Sequence, residues 1–186
     1  YGTMDADKIS RNVAECIYTG IIHDTGVFKY SCTSKKTMEI AGEMMEKGID
    51  YSDIIDNTFY KKTYVQNQIL GRALLESVLF YDGKCIFTTV TIDEMEFYGV
   101  TGRELGGIVE QLRLTDGVEV AIFLYQTGEE EYKVSLRSKK KIDVAAIATQ
   151  FGGGGHVRAA GYTAKGSVYQ IINSIGELIE KQYNAM

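Results

Sequence analysis

Four consecutive glycines, Gly152–Gly155, lie between Phe151 and the segment His156-Val157-Arg158-Ala159-Ala160-Gly161. No other stretch constrains the chain as strongly. Glycine carries no Cβ and reaches positive φ without steric cost, so the run reads as a turn rather than a helix interior. Backbone N–H groups in such a turn can close around an anion, and phosphate is the usual one. A flexible linker would lean on serine and would not be flanked by apolar helix and strand patterns. A functional loop is therefore the preferred reading. Two alanines and Gly161 keep the segment that follows thin.

At 186 residues the chain is long enough for one domain or two small ones. Its 45% hydrophobic and 24% charged residues suit a globular protein with a real core. The net charge of −5, from 20 Lys and Arg against 25 Asp and Glu, argues against a broad basic surface for long duplex nucleic acid. It leaves room for a small local pocket taking a nucleotide or short oligomer. Cys16, Cys32 and Cys85 match neither a zinc spacing nor a disulfide framework, so they are read as core packing in a reducing compartment. No apolar run approaches the ~20 residues needed to span a bilayer, and no signal peptide is visible. A cytoplasmic location without membrane contact is the resulting expectation. The opening Tyr1-Gly2-Thr3-Met4 lacks a leading methionine, which suggests an upstream segment.

Periodicity divides the chain near residues 60–77. Before that point the pattern is helical: Asp5 to Gly20 with Asp5 as N-cap, then Thr33 or Ser34 to about Lys47. Met38, Ala41, Met44 and Met45 of the second helix are expected to point inward, and Gly48 to stop it. A short helix starts at Ser52, and a longer one runs from about Lys62 to Glu76. After that point strands appear. Residues 77–81 and 85–90 flank Asp82-Gly83-Lys84, a hairpin signal. Helices are predicted over 93–98 and 104–112, and an apolar central strand over 118–125. A strand over 132–138 follows, then a helix from its Asp143 cap to Gln150, a short strand over 161–164 and a last helix capped by Ser167. The fold class is α/β of the α+β kind, with residues 1–62 as one domain, 63–76 as a linker helix and 77–186 as a second domain.

Three groups carry candidate chemistry. Arg137 lies on a strand shortly before the glycines, and its planar fork suits phosphate. His156 follows the glycines directly and can bond a phosphate or a base. His23-Asp24-Thr25-Gly26 ends an apolar stretch. A carboxylate there can bind a divalent metal, but the same residues also make an ordinary helix C-terminal turn. The residues themselves do not choose between these two.

The segment Tyr18-Thr19-Gly20-Ile21-Ile22-His23-Asp24-Thr25-Gly26 resembles the fourth metal-site motif of the DHH phosphoesterases. Val134-Ser135-Leu136-Arg137-Ser138 and residues 151–161 resemble their DHH-associated substrate-binding domain. Order and spacing are similar to the subgroup of bifunctional oligoribonucleases and pAp phosphatases. The resemblance implies two divalent metals, usually manganese, held by an upstream domain whose Asp-His-His and Asp-x-Asp motifs this chain lacks. Asp24 alone would carry over, as metal ligand and catalytic residue, and the chain by itself would hold no metal stably and would be inactive. Residues 1–60, as the tail of that split domain, would expose an apolar face of the kind that drives association, and a homodimer is one expected outcome. It implies further that Gly152, Gly153, Gly154, Gly155, His156 and Arg137 bind short single-stranded oligonucleotides or nucleotides such as pAp. A cyclic-di-AMP or linear dinucleotide phosphodiesterase and a non-catalytic nucleotide-binding module are the competing expectations. A third, RNA contact as in alanyl-tRNA synthetase-like proteins, fits poorly with the acidic balance and the Asp-Thr-Gly segment.

Overall fold

The structure is a computed structural model that describes residues 9–30 and 32–186. It divides into two compact units, Tyr1–Lys62 and Thr63–Met186. In the first, helix α1 (Arg11–Thr25) packs on α2 (Lys35–Glu46) and α3 (Tyr51–Ile55), and a π-helical turn follows at Asp56–Tyr60. The Ser10 hydroxyl accepts from Val13 N–H and caps α1, while the expected Asp5 cap lies outside the described residues. Helix α1 runs through Gly20 to Thr25, so Ile21-Ile22 is helical, and Ala14, Tyr18, Ile22 and Thr25 form its buried stripe. Ser34 caps α2 by a reciprocal capping box with Thr37. Ala41 and Met44 are buried as expected, but Met38 and Met45 are exposed, because the stripe of α2 that meets α1 is narrower than its apolar pattern.

The second unit is built on a six-stranded mixed sheet in the order β1-β2-β3-β4-β6-β5. Its strands are β1 (Val78–Phe80), β2 (Cys85–Val90), β3 (Val120–Gly128), β4 (Glu131–Ser138), β5 (Gly154–His156) and β6 (Ala159–Lys165). β1 and β2 form the expected hairpin, and β2 and β3 pair in parallel, the one parallel pair among the described strands. Helices α4 (Tyr64–Leu75), α5 (Ile92–Tyr98) and α6 (Ile108–Arg113) pack against β2 and β3 on one face. Ile69, Ala73, Ile108, Val109 and Leu112 meet Ile86, Val90, Ala121 and Phe123 there. On the other face α7 (Val144–Gln150) and α8 (Val168–Asn184) bury Ile122, Leu124, Val134, Leu136, Ala160 and Tyr162. The predicted helix over 104–112 begins only at Ile108. Gly102, Gly106 and Gly107 break the first half into turns, and Gly107 sits at φ +92°.

Of the three cysteines only Cys85 packs in a core. Burial pushes its thiol up to about 12. Cys16 and Cys32 are exposed, because they fall off the buried stripe of their unit. Among the described residues no helix is long and apolar enough to cross a membrane.

Leu136, fully buried between the sheet and α7, is the side chain whose loss the second unit should feel most plainly. Leu136→Ala is expected to cost about 2–5 kcal/mol in denaturant unfolding, whereas the exposed Leu75→Ala should cost far less.

Candidate functional site

The helices on the α6 side stop short of the far end of the sheet. Side chains alternate along a strand, so register decides which of them share that open face. Ala121, Arg137, Ala159 and His156 stand in one row across β3, β4, β6 and β5. The next row is Phe123, Ser135, Gly161 and Gly154, and the row after it is Tyr125, Lys133 and Thr163. Burial follows the same alternation: Val134, Leu136 and Ser138 are buried, Lys133 is exposed, and Ser135 and Arg137 are half-buried. The floor between Arg137 and His156 is therefore small side chains or none.

The glycine run is not the open N–H cradle its sequence suggests. Gly152 donates to Thr149 O (3.1 Å) and Gly153 to Ala148 O (2.9 Å), which ends α7 as a Schellman motif with Gly152 at φ +75°. Gly154 and Gly155 then enter β5 and lead into His156, and the two-residue turn Val157-Arg158 closes the hairpin with β6. A Cβ at Gly153 would lie 2.3 Å from Gly161 O, and one at Gly155 would lie 2.4 Å from Ala159 O. Gly154 differs, since a Cβ there meets nothing within 4 Å and would simply stand on the open face. From the opposite face the hairpin is held by Phe151, whose ring stacks on Tyr162 at 4.7 Å.

Arg137 is aimed by its neighbours. Its Nε donates to Glu110 Oε1 at 2.5 Å and its Nη1 to Leu136 O at 3.0 Å. Glu110 also receives Arg113 Nε at 3.0 Å. Burial pushes the Glu110 carboxyl up, but the hydrogen bonds and charges of Arg137 and Arg113 outweigh it and hold the group below the usual carboxylate range. Two N–H groups of Nη2 and one of Nη1 remain to Arg137 for an incoming acceptor. The His156 ring, exposed at the sheet edge, has no hydrogen-bond partner among the described residues. Glu110 is a site residue that sequence reasoning missed. Its only signal is a single acidic position on a short amphipathic helix.

Asp24 belongs to the first unit, where it closes the last turn of α1 and is exposed. The following turn holds Gly26, Val27 and Phe28 all at positive φ, an arrangement that β-branched Val27 adopts only at a cost. Thr25 secures it: its hydroxyl donates to Ile21 O at 2.6 Å and accepts from Phe28 N–H at 2.9 Å. Asp24 shares a groove of about 320 Å³ with Ile17, Ile21, Cys32, Lys36, Thr37 and Ile40. Met38 and Met45 of the same unit are exposed. Among the described residues no group of three His, Cys, Asp or Glu could hold a metal ion. Among the described residues, Asp24 thus stands without the partner ligands a two-metal centre needs.

The DHHA1 domain model matches residues 82–182. The bifunctional oligoribonuclease and PAP phosphatase NrnA of Thermus thermophilus is 33% identical over 155 residues, 83% of this chain and 45% of the relative. Its counterpart in Bacillus subtilis is 27% identical over 83% of this chain and 48% of its own length. An exopolyphosphatase-related protein from Bacteroides fragilis superposes with a TM-score of 0.87 at 28% identity, covering 95% of this chain and 52% of that one. The chain thus spans about half the length of the curated relatives it matches.

Two predictions follow from this geometry. Gly153→Ala should destabilise the second unit by about 1–3 kcal/mol, as overpacking does, while Gly154→Ala should stay within about 0.5 kcal/mol; urea unfolding of both variants checks the contrast. The second concerns pH. The folded-state pKa of Glu110 lies below its unfolded value, so its contribution is complete above about 4.3 and is lost as pH falls through the folded value. Glu110→Gln should remove that part of the acid destabilisation, read as a shallower fall of the urea midpoint between about pH 6 and about pH 3.

Proposed function

Since the chain belongs to the DHHA1 domain family, we propose that it is the substrate-holding part of a phosphoesterase acting on short oligonucleotides and on 3′-phosphoadenosine 5′-phosphate. One observation carries this reading: Arg137 and His156 flank Ala159 in a single row on the open sheet face. Two strand spacings, roughly 10 Å, separate their backbones. A phosphate seated over Ala159 meets the free edge of the Arg137 fork on one side and the imidazole on the other. The bare Gly154 and Gly161 let its sugar lie close to the sheet. The names of the NrnA relatives supply the substrate class.

Asp24 contributes to the cutting side in this reading. A carboxylate in the last turn of a helix faces the negative end of the helix dipole, an unfavourable place that a bound cation would relieve. The described residues offer no set of ligands to complete a metal site, so no hydrolytic step is assigned to this chain's residues. Manganese-dependent hydrolysis of pAp by this chain alone is expected to be undetectable.

Binding is the direct test. With fluorescein-labelled tetraadenylate followed by anisotropy and unlabelled pAp as competitor, His156→Ala and Arg137→Ala should each weaken both ligands about tenfold or more, the scale of a lost charged hydrogen bond. Unchanged affinity for both ligands in both variants overturns the proposal.

A further inference from the structure

The open face continues past the row that holds Arg137 and His156. Two rows further, Lys133 on β4 stands beside Thr163 on β6, both exposed, with Ser135 and Gly161 between them and the first row. Lys133 has no ion-pair or hydrogen-bond partner among the described residues. The carboxylates of this face are already engaged. Glu110 is bound by Arg137 and Arg113, and Glu131 by Lys165 at 3.5 Å and by the Thr127 hydroxyl. Lys133 therefore presents an ammonium with no ion-pair partner among the described residues, on a chain whose net charge is −5. Along β4, Lys133 and Arg137 lie four positions apart, about 13 Å at strand rise. That length is on the order of two nucleotide steps of an extended single strand. The strip between them is kept low, since a Cβ at Gly161 would lie 2.8 Å from Val134 O. On the β3 side it is bounded by the 101–107 turns, where the Cβ position of Gly102 falls 2.8 Å from the Tyr125 ring.

We propose that Lys133, with the Thr163 hydroxyl beside it, forms a second phosphate subsite, and that the open face holds a single strand running along β4 and β6 from the Arg137–His156 row. This proposal rests on the function proposed above and sharpens it: the face is built for an oligonucleotide with several phosphates rather than for a nucleotide alone. The Lys133 ammonium supplies a point charge, Thr163 and Ser135 supply hydroxyl donors, and the glycine floor lets the strand lie flat.

The test uses the whole chain with two probes, labelled tetraadenylate and pAp, each titrated at several salt concentrations. Lys133→Ala should weaken tetraadenylate about five- to tenfold, lower its salt slope by about one, and leave pAp unchanged. Thr163→Val should act in the same direction with a smaller effect. Lys181→Ala, an exposed lysine on α8 across the sheet, should change neither probe. Loss of both probes to the same degree in Lys133→Ala, no loss of either, or an equal loss in Lys181→Ala overturns the second subsite. The first reading fails separately, if His156→Ala and Arg137→Ala both leave the affinity for both probes unchanged.

Discussion

The close approach of β5 to β6 is the constraint on which the candidate site depends. At Gly153 and Gly155 a side chain would collide with the backbone of the partner strand, and at Gly152 the chain turns through positive φ. Those three positions end α7, reverse direction and lay a three-residue strand on the sheet edge. Only then does His156 fall into the row of Arg137. A single added methyl group at the wrong glycine would move the histidine, not merely loosen a loop. Gly154 is free of this steric demand, and its bareness is useful only for what rests on the face.

Electrostatics refine what that geometry makes available. Arg137 is half-buried and would be costly without a partner. Glu110 compensates it and, with Leu136 O, fixes the plane of the guanidinium, leaving the Nη2 N–H groups without a partner among the described residues. The same carboxylate halves the charge the arginine presents. The face then relies on hydrogen-bond direction at one end and on the unpaired ammonium of Lys133 at the other. This division suits a ligand whose charges are spaced along a strand.

In the first unit the same logic appears with opposite sign. Thr25 pins a turn of three consecutive left-handed residues, and the exposed carboxylate of Asp24 is held at the C-terminal pole of α1. Strain and an unfavourable dipole together are hard to explain by stability alone.

Much of this was legible in the chain. The helix caps at Ser34, Asp143 and Ser167, the hairpin about Asp82-Gly83 and the apolar central strand all follow from local chemistry, and local chemistry acts within a few residues. The candidates Arg137, His156 and Asp24 stood out because residue type and neighbours sufficed to mark them. Three things were not legible. The N–H groups of Gly152 and Gly153 are consumed by α7, the role of Glu110 depends on a partner 27 positions away, and Lys133 gains meaning only from its row. What the sequence determined by itself is most of the elements, though not β5 or the π-helical turn, and the chemistry they carry. The tertiary structure alone decided which residues share a face, because strand register joins positions distant in the chain and a shift of one residue would turn each of them to the other side.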